Sequence, residues 1–166
     1  MSTPAIQDFY PADFATCHGC GRLNASGMQL KSRWEGDGDG QTMVARYTPR
    51  PDQIGVSGFA YGGLIASLID CHAMGTAAAT AERAAGFDIG DRPSPRFVTA
   101  SLKVDFLKPT PADTELEVRA HVRELGERKA IVEATVSASG VVTAKGEVVA
   151  VRIPETMKRE PVNSKR

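Results

Sequence analysis

The chain lacks an excess of either charge: its twenty lysines and arginines balance twenty aspartates and glutamates. No field of one sign therefore favours a polyphosphate or an anionic bilayer, and neither nucleic acid nor membrane is expected as a partner. Cysteine is scarce, with three residues at Cys17, Cys20 and Cys71. That odd, small number does not make a disulfide framework and fits a reducing compartment, so a cytoplasmic location is expected. The opening MSTPAIQDFYPADFATC has no basic segment followed by an apolar one, and no signal peptide is expected from it. No uninterrupted apolar run reaches the roughly 18 residues of a bilayer crossing.

The 166 residues are 42% hydrophobic and 24% charged, enough for one domain with a core and too few for a second. Residues 1–24, with Pro4 and Pro11, read as a loosely structured lead-in. Residues 25–154 form the domain and 155–166 a charged tail. GDGDG at 36–40 marks a turn.

MQLKSRWE alternates Met28, Leu30 and Trp34 with polar residues, and QTMVARYT after the glycine turn reads as its hairpin partner. Pro49 and Pro51 end that strand. GGLIASLIDCHAMGTAAATAERA, about Gly62 to Ala84, has no proline and is apolar on every face of its first turns. Such a helix is either surrounded by protein or spans a bilayer, and its polar interruptions favour the former. Four alternating segments follow: FVTASLKVDFL, ELEVRAHVREL, KAIVEATVSAS and VVTAKGEVVAVRI. In the first, Val98, Ala100, Leu102, Val104 and Phe106 are assigned to the apolar face and Thr99, Ser101, Lys103 and Asp105 to the opposite one. Turns fall at 108–111, at Leu125-Gly126-Glu127 and at Ser139-Gly140. The predicted fold class is α+β, in the order β-β-α-β-β-β-β, with one long buried helix wrapped by an antiparallel sheet.

Asp70 lies in the least polar stretch of the chain. A buried carboxylate costs several kcal/mol unless it is paired, hydrogen-bonded or protonated, which makes this position a functional candidate before a structural one. Gly62 and Gly63 open the helix, where unpaired N–H groups and the positive dipole end suit a developing oxyanion; the plainer reading is a tight loop-to-helix turn. Gly63 and Asp70 are seven residues apart, about 10 Å along one helix. They cannot both reach one carbonyl, so a joint role requires two chains, and a twofold dimer would create two equal composite sites.

Other residues carry weaker signals. Cys71 and His72 are neighbours on a helix and do not face each other, so His72 reads as a packed histidine. Cys17-x-x-Cys20 around His18 lacks a second ligand pair, because neither Cys71 nor His121 stands at metal-site spacing; the thiols read as structural and no metal is assigned. Arg96, Lys103 and Lys108 are candidates for the phosphates of a nucleotide-bearing substrate, although scattered surface cations more often serve solvation.

YGGLIASLID resembles the His-Gly-Gly motif, with an acid downstream, of the PaaI-like branch of hotdog-fold acyl-CoA thioesterases. TASLKVDFLKP resembles the strand that follows the helix in that family, and CHGCGRLNASGMQL a lead-in of its relatives. The likeness spans residues 17–153. It implies that the Gly63 amide polarises the thioester carbonyl, that Asp70 is general base or nucleophile, and that Thr99 positions water. Tyr61 stands where the family carries histidine, and its hydroxyl both donates and accepts. With Gly62 and Leu64 it is assigned to substrate binding, the acyl chain lying beside Leu64, Ile65 and Leu68. The expected activity is hydrolysis of acyl-CoA-type thioesters, without a cofactor, by a homodimer or dimer of dimers. A binding module without turnover is the alternative, and a hotdog dehydratase is disfavoured for want of an Asp/His pair.

Overall fold

The computed structural model describes residues 3–36 and 40–158. The middle of the GDGDG turn and most of the charged tail fall outside them. Among the described residues the elements run β1 (Arg33–Trp34), β2 (Met43–Tyr47), α1 (Gly62–Ala84), β3 (Phe97–Phe106), β4 (Leu116–Leu125), β5 (Lys129–Ala138) and β6 (Val141–Arg152), with short 3-10 turns in the lead-in and after β6. The six strands form one antiparallel sheet in the order β1-β2-β4-β5-β6-β3. This is the expected order of elements, with the helix at its expected bounds.

The four long strands begin and end where their alternation does. The β5–β6 hairpin turns on Ser139 and Gly140, both at positive φ (48° and 77°), the backbone that matches the right-handed twist of its strands. The sheet curls around α1, whose residues from Cys71 to Ala79 are all buried. Close approach depends on missing side chains. A Cβ on Gly146 of β6 would stand 2.7 Å from Cγ2 of Ile69, and one on Gly75 would stand 2.7 Å from Nε2 of Gln7. By length and hydropathy α1 does qualify as a membrane-crossing helix, contrary to expectation; 78% of that stretch is buried in the protein, which accounts for its apolar character.

Two expectations need correction. The alternation over residues 28–35 yields only the two-residue β1. Gln29 adopts φ 51°, and the Met28 and Leu30 amides donate to the carbonyls of His18 and Gly19, while the Ser32 carbonyl accepts from Ile6. The lead-in has claimed the hydrogen bonds that a longer strand would need. For the same reason the lead-in is not loose: Ala5, Ile6, Tyr10, Ala15 and Cys20 are all buried.

A buried polar chain ties lead-in, helix and sheet together. Gln7 Nε2 donates to Ser32 Oγ (2.9 Å), which lies 2.8 Å from His72 Nδ1, and His72 Nε2 lies 3.1 Å from the Met43 carbonyl. A carbonyl only accepts, so Nε2 carries the proton and Nδ1 accepts from Ser32. Burial lowers the His72 pKa to about 4 and keeps the ring neutral. His72 is thus the packed histidine expected. His72→Leu removes one hydrogen bond from each of two buried groups, Ser32 Oγ and the Met43 carbonyl, and should destabilise the fold by about 2–4 kcal/mol. Equilibrium urea denaturation checks this, and an unshifted midpoint would refute it.

Candidate active site

Asp70 lies on α1 between fully buried Ile69 and buried Cys71, and is itself half-buried. Its Oδ1 accepts a hydrogen bond from the Thr99 hydroxyl of β3. Partial burial raises the carboxyl above the ordinary aspartate range, with the Cys17 sulfur adding to the rise; the Thr99 bond and the Arg96 guanidinium oppose it. The structure therefore joins two of the three predicted catalytic residues.

The sequence reading assigned Thr99 to the face away from the apolar side of its strand, and that is overturned. The β3–β6 register runs Thr99 opposite Ala150, then Ser101 opposite Val149, so Ala100 is an extra residue. This β-bulge reverses the alternation. Thr99 shares a face with Ala150, as Leu102 does with Val148, and both partners are fully buried on the helix side. One inserted residue aims the hydroxyl at Asp70.

The helix start is a separate feature. Tyr61 is the N-cap, and the first helical bonds run from the Leu64 and Ile65 amides to its carbonyl (3.1 and 3.4 Å). The Gly62 and Gly63 amides precede these and point out of the helix end. The preceding loop is braced by Gly55 N to Phe59 O (3.0 Å) and Ala60 N to Thr110 O (2.9 Å), so the chain after β3 fixes the entry to α1. A Cβ on Gly63 would lie 2.5 Å from Cε2 of Tyr61, which is a packing reason for glycine there.

A cavity of about 300 Å³ opens beside this end, lined by Phe59, Gly62, Ile65, Phe106, Lys108 and Thr110 among others. Of the three residues expected beside the acyl chain, Ile65 lines this cavity, while Leu64 and Leu68 are fully buried in the core of their own chain. The solvent-exposed strip beside it, Phe59, Tyr61, Leu102, Phe106 and Leu107, was not foreseen, because the strand pattern assigned Leu102 and Phe106 to a covered face. Of the three predicted phosphate-binding cations only Lys108 is at this cavity. Lys103 pairs with Asp105 (3.5 Å), and the Arg96 guanidinium stacks on the Tyr10 ring, 4.6 Å from its centroid. His121 pairs with Glu133 (3.4 Å) on an exposed part of β4. Cys71 does meet Cys17, at 3.8 Å between sulfurs, although the sequence offered no spacing for it.

A sequence model of the thioesterase superfamily matches residues 57–150, from the loop before α1 nearly to the end of β6. The chain belongs to the thioesterase superfamily. A thioesterase superfamily protein from Shewanella loihica PV-4 is 40% identical over 86% of this chain and 97% of its own, with a TM-score of 0.64. The fold is shared by the Escherichia coli PaaI protein of the phenylacetic acid degradation operon (18% identity, 68% of this chain and 73% of that one, TM-score 0.56). It is also shared by a Streptococcus mutans UA159 protein bound to acetyl CoA (17% identity, 68% and 82%, TM-score 0.55). No curated protein matches the chain in sequence. With these likenesses the hotdog assignment holds: one helix wrapped by an antiparallel sheet.

The Gly63–Tyr61 packing at the helix start can be checked directly. Gly63→Ala should cost about 1–3 kcal/mol through overpacking. Most of that loss should vanish in a Tyr61→Ala background, measured as a double-mutant cycle by thermal or chemical denaturation.

Proposed function

We propose that the protein hydrolyses acyl thioesters of coenzyme A, with Asp70 as general base or nucleophile and Thr99 orienting it. The observation that carries the reading is the Thr99–Asp70 hydrogen bond on a half-buried carboxylate, made through a bulge in the strand beside the helix. Thr99 occupies Oδ1 and leaves the second carboxylate oxygen for water or for the thioester carbon. Water attack gives a tetrahedral intermediate that expels the coenzyme A thiolate; direct attack gives an acyl-Asp70 anhydride that water then opens. The Gly63 amide stabilises the oxyanion, an effect of about 3–4 kcal/mol for one such donor. The cavity beside Gly62 takes the acyl group, and Lys108 offers a positive charge at its rim.

Gly63 and Asp70 lie about 10 Å apart along α1, so the site is composite and a second copy of the chain supplies the amide. Two features support the second copy. β3 is a ten-residue edge strand, paired among the described residues with β6 alone, and an unpaired edge of that length is a template for another chain. Leu102, Phe106 and Leu107 are 38%, 56% and 51% exposed beside it, an apolar strip that association would cover. A dimer of dimers remains the expected higher assembly.

A second reading, a module that binds acyl-coenzyme A without turnover, draws on the Tyr61 ring standing against Gly63. Release of free thiol from a panel of acyl-coenzyme A thioesters separates the two. Asp70→Asn should lower kcat by about 100- to 10,000-fold with the circular dichroism unchanged, and Thr99→Val by about 10-fold. Single turnover in oxygen-18 water labels Asp70 only on the nucleophilic route. Binding without release by purified wild type would select the module.

The composite site has its own check. Leu102→Lys combined with Phe106→Glu should give a folded monomer by sedimentation velocity, with activity lost together with the dimer. A fully active monomer would refute shared catalysis.

A further inference from the structure

The lead-in and α1 bring three sulfurs together, away from the glycine end of the helix. The Sγ atoms of Cys17, Cys20 and Cys71 all lie within 4.8 Å of one another, and those of Cys17 and Cys71 are 3.8 Å apart. A tetrahedral zinc ion with metal–sulfur bonds of about 2.3 Å requires sulfur–sulfur edges of about 3.8 Å. We propose that Cys17, Cys20 and Cys71 form a binding site for a soft divalent metal ion, zinc by preference, that pins the lead-in to the central helix. The inference is independent of the thioester reading.

Three further observations support it. First, the loop is shaped around the sulfurs. Gly21 N donates to Cys17 O (2.8 Å) and Leu30 N to Gly19 O (3.0 Å), so main-chain bonds hold the turn that carries Cys17 and Cys20. Second, both flanking glycines are sterically required. A Cβ on Gly19 would collide with Sγ of Cys71, and one on Gly21 would lie 2.5 Å from the Cys17 amide nitrogen. Third, Arg96 lies near Cys17 and Cys20, and its Nη1 is buried without an acceptor among the described residues. A divalent ion on three thiolates carries one net negative charge, which this guanidinium offsets.

Among the described residues no histidine or carboxylate joins the three sulfurs at that spacing, so the fourth position falls to solvent. Soft thiolate ligands select zinc over magnesium or calcium. Binding releases one proton from each thiol that was protonated beforehand.

The test uses the full chain, reduced and stripped of metal by a chelator, then titrated with cobalt(II) and with zinc(II). Expected are about one ion per chain, a thiolate-to-cobalt charge-transfer band abolished by zinc, and a higher Tm with metal bound. Cys17→Ser and Cys20→Ser should weaken binding by more than about 100-fold, beyond the loss typical of an outer-shell change. If these variants fail to fold, alkylation of the wild type decides, because zinc should protect all three thiols from modification as read by mass spectrometry. A folded, reduced wild type without the charge-transfer band would overturn the proposal. So would metal binding that survives both substitutions, or ready closure of a Cys17–Cys71 disulfide in a protein that takes up no metal.

Discussion

A carboxylate on a helix that is apolar all round must find a partner or give up its charge, and the contact between Asp70 and Thr99 meets that constraint. Desolvation pushes Asp70 toward its neutral form, while the hydroxyl and the nearby Arg96 pull the other way. The partner exists because β3 carries one extra residue at Ala100, which turns Thr99 toward the helix. A regular strand would aim that hydroxyl away from α1 and leave the acid with solvent alone. The placement of β3 beside α1, the packing of Ile69 against Gly146 and the seating of the helix in the sheet all serve this one contact.

The same packing explains what the domain leaves uncovered. α1 packs against β3, β4, β5 and β6, and among the described residues no strand lies beyond β3. Leu102 and Phe106 point toward the helix side and still reach solvent, because the helix does not extend over the edge. Next to that edge lie the helix start, with its free amides, and the small cavity. An acid in mid-helix and an amide donor at the helix end, separated by two turns, are the physical ground for the proposal of a site shared between chains.

The lead-in belongs to the core as much as the sheet does. Its carbonyls capture the amides of Met28 and Leu30, its Gln7 joins the polar chain through Ser32 and His72 to Met43, and its cysteines meet Cys71. The matched superfamily region begins at residue 57, so this N-terminal layer lies outside it. The layer reaches the residue next to Asp70, which connects its order to the geometry of the site.

Hydrophobic periodicity was enough to determine α1, the four long strands and the α+β class, and it set Asp70 apart as an acid in an apolar stretch, because each rests on local pattern. Pattern also located the paired glycines and the hairpin at Ser139-Gly140. It could not reveal the bulge at Ala100, since an inserted residue keeps the same alternating string while reversing its faces. Nor could it show that residues 28–32 pair with the lead-in, that Leu64 is sealed in the core, or that Cys71 meets Cys17. Those depend on which distant segments compete for the same backbone hydrogen bonds and the same space, and only the tertiary structure decides that competition.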